Sequence, residues 1–151
     1  MTSTAQNAAI QTEDRLRADL YNFLGLLLAG PADAGLLDQT AGLTGDDSEL
    51  GRSISALARV AAASRPAAVE SEYNALFIGV GRGELLPYAS YYLTGFLNEK
   101  PLAVLRNDMA AHRITRAKNV FEPEDNIASL LEMLGGFIIG RVGDPATVPA
   151  P

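Results

Sequence analysis

Apolar residues along this chain recur mostly at three- and four-residue intervals, the period of a helix with one buried face. Helix signals begin at Thr12, with Glu13 and Asp14 in the first turn. Leu16, Leu20, Phe23, Leu24 and Leu27 then predict one buried stripe, and Gly30-Pro31 stops it. In the Gly/Asp-rich stretch 32–48, Leu36, Leu37 and Leu43 suggest a short helix. Ile54, Leu57, Ala58 and Ala61 predict an Ala-rich helix that closes near Ser64-Arg65-Pro66. Pro66 suits the first turn of the next helix, whose stripe is Val69, Tyr73, Leu76 and Phe77 and whose end is Gly79.

A loop follows from Gly79 to Pro87, and residues 88–97 are expected to hold a turn or short helix. Pro101 is read as opening a helix with Leu102, Leu105 and Met109 on one side. Residues 113–120 read as a polar connection. Pro123 is expected to start the strongest helix, with Ile127, Leu130, Leu131, Leu134 and Ile138 on one face. Glu122, Glu124 and Asp125 would then place negative charge at that helix's N-terminus, favourable with its dipole. No segment alternates as a strand would, and no repeat of 20–50 residues is visible. The fold class predicted is all-α, with roughly five to seven helices. One helical domain is expected over residues 12–140, between a frayed N-terminus (1–11) and a Gly/Pro-rich flexible tail (141–151).

Composition narrows the classes. A chain of 151 residues with 48% hydrophobic and 20% charged residues is long and apolar enough to bury a core. Net charge of −6 argues against a nucleic-acid binder, which needs a cationic footprint, and suits a basic partner. The absence of cysteine excludes disulfides, thiolate zinc sites and cysteine nucleophiles. No basic n-region precedes an apolar stretch near Met1, and the longest apolar run, from Phe23 to Ala29, is too short to span a membrane. A cytoplasmic protein is the expectation, with neither cofactor nor metal implied.

Candidate chemistry is sparse. His112, the one histidine, lies near a helix end, where an imidazole more often complements the dipole than catalyses. Glu122, Glu124, Asp125 and Glu132 form an acidic cluster with three readings: acid–base or cation chemistry, a charged helix start, or a docking point for a cationic peptide. The Gly79–Gly83 loop lacks the Lys-Ser/Thr of a phosphate loop, and a turn needing positive φ explains it more simply. Tyr73, Phe77, Tyr88, Tyr91, Tyr92 and Phe96 gather six of the ten Tyr and Phe within 24 positions. They read either as core or as the lining of a groove for an apolar peptide.

Three segments in order carry a family resemblance. Residues 72–79, Glu-Tyr-Asn-Ala-Leu-Phe-Ile-Gly, resemble the "xYxxLFxG" segment of the TorD/DmsD/NarJ family of redox-enzyme maturation chaperones. Pro87-Tyr88-Ala89-Ser90-Tyr91-Tyr92 is similar to that family's Pro-aromatic-x-Ser-x-Tyr segment, and Glu122-Pro123-Glu124-Asp125-Asn126 to its "EPxDH" motif. The resemblance implies a TorD-like helical bundle and a cytoplasmic chaperone that is not an enzyme. It would bind the twin-arginine leader of an apo molybdopterin oxidoreductase, of the formate dehydrogenase, DMSO/TMAO reductase or nitrate reductase class. It would hold that client for cofactor insertion before export. Carried over by motif, Tyr73, Phe77, Pro87, Tyr88, Ser90, Tyr91, Glu122, Pro123, Glu124, Asp125 and Asn126 are the expected peptide-binding or hinge residues, with Asp125 the anionic contact.

Two departures and a length difference accompany the resemblance. Asn126 stands where the family usually has His, which puts any imidazole-dependent step in doubt, and Tyr88 where relatives often have Trp. The last C-terminal helices of the family pattern are not evident. An apolar face left uncovered at 127–139 would favour a homodimer with exchanged helices. The alternatives are a helical adaptor that binds no leader, or a metal-dependent hydrolase using Glu122, Glu124 and Asp125.

Overall fold

The computed structural model describes residues 10–140. Its elements are α1 (Thr12–Ala29), α2 (Ala34–Ala41), α3 (Glu49–Ala63), α4 (Pro66–Tyr73), a π-helical turn (Asn74–Ile78), α5 (Ala89–Thr94), α6 (Glu99–Ala111) and α7 (Ile127–Ile138). Among the described residues there are no strands, only an isolated bridge between Tyr88 and Asn126, so the all-α expectation holds. The expected tail 141–151, and all but the last two residues of the expected frayed start, lie outside the described residues. The chain forms two compact units. One comprises residues 10–25 and 88–140, the other residues 26–87.

In the second unit, α2 starts where Asp33 accepts the Leu36 N–H at 2.8 Å, and α3 where Ser48 accepts the Gly51 N–H at 3.0 Å. Ala32, Leu37 and Ala61 are buried together, flanked by Leu27, Leu36, Ala41 and Val69. Pro66 opens α4 as its sequence position predicts. The helix then widens into the π-helical turn, which Gly79 ends at φ 61°, a conformation that favours glycine. The chain folds back on that turn: Leu85 N–H donates to the Leu76 carbonyl at 2.7 Å and Glu84 N–H to Ala75 at 3.4 Å. Two of the carbonyls near the end of the helix are thereby satisfied.

In the first unit, the buried residues of α1 are Ala18 and Gly25, and those of α7 are Ala128, Gly135 and Gly136. The two helices approach closely through them. A Cβ on Gly135 would lie 2.5 Å from Asn22 Oδ1 and 3.2 Å from the Ala18 carbonyl, and one on Gly25 3.3 Å from the Ala128 carbonyl. The leucine stripe expected to be buried on α1 is therefore corrected in part: Leu16 is exposed, and Leu20, Phe23 and Leu24 are half-buried. Small residues, not large ones, let the backbones meet.

Two helix starts also differ from expectation. α6 begins at Glu99, ahead of Pro101, after Asn98 and Glu99 both take positive φ. α7 begins at Ile127 instead of Pro123, because residues 122–126 serve other partners. The expected start of that helix at Pro123 is corrected accordingly, and Glu122, Glu124 and Asp125 all precede it. Its N-cap is Asn126, whose Oδ1 accepts the Ala128 N–H at 2.9 Å.

Candidate functional site

The segment 122–126 sends each polar side chain to a different place in the first unit. Asp125 is only 3% exposed, and its Oδ2 accepts the Ser90 N–H at 2.8 Å. Its backbone carbonyl accepts the Ala89 N–H at 3.0 Å. Together they satisfy two N-terminal donors of α5, so Asp125 caps a helix 35 residues away from it in sequence. Its other oxygen, Oδ1, is buried without a hydrogen-bond partner.

Ser90 is fully buried, and its Oγ accepts the Asn98 N–H at 3.0 Å. Residues 122–126 are thus tied through Ser90 to the positive-φ residue at which α6 begins. From α6, Arg106 returns to Glu124, with Nη2 2.9 Å and Nε 3.0 Å from Oε2. Burial works to raise the Glu124 carboxyl. The hydrogen bond and charge of Arg106, with a backbone hydrogen bond and the charge of Arg116, outweigh it and hold the group below its ordinary range.

Tyr88, half-buried, donates its hydroxyl hydrogen bond to Glu122 Oε2. Burial, together with the bond to Glu122 and its charge, pushes the phenol up to about 12. Glu122, Glu124 and Asp125 therefore face three separate partners, Tyr88, Arg106 and Ser90. Among the described residues no group of three His, Cys, Asp or Glu is placed to hold a metal ion. His112 caps α6 through its backbone, and its exposed ring stands edge-on to Phe137 with centroids 5.1 Å apart.

Tyr88, Ser90, Glu122, Asp125 and Asn126 are brought together, and Pro123 accepts the Asn126 N–H with its carbonyl at 3.1 Å. Tyr91 lies on α5, edge-on to Tyr92 at 5.5 Å. Tyr73, Phe77 and Pro87 belong to the second unit. There Tyr73 stacks obliquely on Phe77 at 4.8 Å and donates its hydroxyl to the Leu28 carbonyl at 2.9 Å. Both aromatic rings line an apolar cavity of about 240 Å³ with Leu27, Leu37, Leu57 and Val69.

The aromatic group divides between the two readings made of it. Tyr73, Phe77, Tyr88 and Tyr91 are half-buried, while Tyr92 is 68% and Phe96 67% exposed. Leu93, 71% exposed, and Leu97 extend that apolar surface along α5 and the turn after it. Sequence reasoning did not single out Leu93, Asn98 or Arg106. Arg106 lies 18 positions from Glu124, a separation with no local periodic signal.

The profile of the family described as nitrate reductase delta subunit matches residues 43–148. The chain belongs to this family. It is the TorD/DmsD/NarJ family of redox-enzyme maturation chaperones that the three motif segments resemble. The chain is 37% identical over 73 residues to the chaperone protein TorD of Vibrio atlanticus, a match covering 47% of this chain and 34% of that protein. It is 34% identical over 73 residues to the chaperone protein TorD of Aliivibrio fischeri, with the same coverage. The matched stretch thus spans about a third of the length of these curated relatives. The fold also matches a crystal structure assigned to a redox enzyme maturation protein from Archaeoglobus fulgidus, with TM-score 0.59 and 21% identity. That match covers 86% of this chain and 75% of the other. The TorD-like helical fold is common to both, and no described helix is long and apolar enough to cross a membrane.

Proposed function

We propose that this chain is a cytoplasmic maturation chaperone for a molybdopterin-dependent oxidoreductase. It binds the client's N-terminal leader and holds the apoenzyme for cofactor insertion before export. Family membership supports the class. The observation that carries the leader-binding reading is the fastening of two family segments to each other through Ser90 and Asp125, directly beside exposed apolar side chains. A twin-arginine leader joins a basic region to an apolar one. The exposed Tyr92, Leu93 and Phe96 complement the apolar half, and the carboxylates around residues 122–132 the basic half.

In this reading Asp125 acts from the interior. It fixes the start of α5 and so sets the direction in which Tyr91, Tyr92 and Leu93 are presented. Tyr88 and Glu122 form the rim, and Asn126 keeps α7 in register with it. Tyr73 and Phe77 offer the second unit's apolar cavity to the client.

The test is calorimetric titration of the protein with a synthetic leader peptide carrying paired arginines before an apolar run. Tyr92→Ser combined with Phe96→Ser should weaken binding at least several-fold while leaving the helical circular-dichroism spectrum unchanged. Equal affinity in the double variant would remove the α5 surface from the site and favour an adaptor role.

A further inference from the structure

The first unit contains a cavity of about 210 Å³ between the end of α6, the connection 114–122 and α7. Its apolar wall is Met109, Ile114, Val120 and Met133. Thioether side chains adapt to the shape of what they contact, so this wall suits a flexible aliphatic stem. Its polar side is unequal in charge. Glu122, Glu124 and Glu132 line it, against Arg116 alone.

The pairing of these groups leaves one carboxylate without a partner. Glu124 is neutralised by Arg106, outside the lining, at 2.9 Å. Arg116 donates to the Glu122 backbone carbonyl at 3.4 Å, and the Glu122 carboxylate accepts from the Tyr88 hydroxyl. Glu132, exposed on α7, has no hydrogen-bond or ion-pair partner among the described residues. A cavity with an aliphatic wall and one unpartnered carboxylate is complementary to a single cation on an apolar stem.

We propose that this cavity receives one basic side chain of a bound peptide, a guanidinium or ammonium group. Its aliphatic stem lies against Met109 and Met133, and its charge against Glu132. The choice of a peptide side chain rests on the leader-binding reading; the preference for a stemmed monocation rests on the cavity itself. Glu132 lies six residues beyond the family's acidic segment, on the same unit, and extends the basic-residue recognition from the rim into the cavity.

The chain has three methionines, so methyl-labelled methionine gives a simple nuclear magnetic resonance spectrum in which Met109 and Met133 report on the cavity. The probe is n-butylguanidinium, with n-butanol and n-butyl sulfate as controls. Saturable shifts of both Met109 and Met133 are expected with the cation. Binding of the neutral alcohol, and of the cation to Glu132→Gln, should be weaker by about tenfold, the loss of one charge-assisted hydrogen bond. Absence of shifts, equal shifts with butanol, or unchanged affinity in Glu132→Gln would overturn the proposal. Addition of the paired-arginine leader peptide should displace the probe. A peptide that binds while the probe stays in place overturns the cavity assignment and leaves leader binding intact. A probe that depends on Glu132, alongside a peptide that binds nowhere, upholds the cation site and removes the leader reading.

Discussion

Asp125 caps the helix that begins beside Ser90, not the helix that follows it in sequence. The 2.8 Å bond from the Ser90 N–H to Asp125 Oδ2 crosses 35 positions and is buried at both ends. Removing the carboxylate loses that cap and leaves the buried Ser90 N–H unsatisfied, a cost of about 1–2 kcal/mol in all. Asp125→Ala should therefore lower the urea midpoint as well as leader affinity. Loss of affinity with unchanged stability would instead make Asp125 a direct contact.

Asn126 supplies the N-cap of α7, a role its amide fills well and an imidazole fills poorly. Asn126→His, which restores the family's more usual residue, should destabilise this chain by about 1 kcal/mol, and Asn126→Asp by less. Chemical denaturation of the two variants checks the order. Greater stability in the His variant would contradict the capping role.

The phenol of Tyr88 is raised from 10.0 to about 12, chiefly by burial and then by Glu122. Folding thus favours its protonated form. The stability this contributes is fully present below pH 10 and is lost as pH rises through 12. Tyr88 should ionise late in a spectrophotometric titration, and Tyr88→Phe should remove that late step.

Glu124 is shifted the other way, so its contribution is present above the ordinary glutamate range and disappears as pH falls through its own lowered value. The carboxylate side chain is 12% exposed while Arg106 is half open to solvent. Arg106→Ala should cost about 1 kcal/mol at neutral pH, since the charge of Arg116 still favours the Glu124 carboxylate. The difference from wild type should shrink in acid, as measured by denaturation across pH.

Much of the fold is legible in the sequence. Pro66 and Gly79 mark the start of α4 and the end of the π-helical turn. The period of apolar residues gives the helical class. What misleads is Pro123, which looks like a helix start four positions before the observed one, because Asp125 and Asn126 are committed to Ser90 and to the α7 cap. The core is misread for a related reason: periodicity marks leucines, whereas Ala18, Gly25, Ala128 and Gly135 set the closest approach. For the site, motif resemblance locates Tyr88, Ser90 and Asp125, but only the folded chain joins them. Partners such as Arg106 and Asn98 depend on tertiary geometry that leaves no local pattern.

Leader-directed chaperoning is tested most directly by recovering this protein from a lysate of its native cells under conditions where molybdoenzymes are expressed, and identifying co-purifying proteins by mass spectrometry. One molybdopterin oxidoreductase is expected, lost when that enzyme's leader is deleted. Recovery of no such enzyme, or of one that persists without its leader, would contradict leader-directed chaperoning.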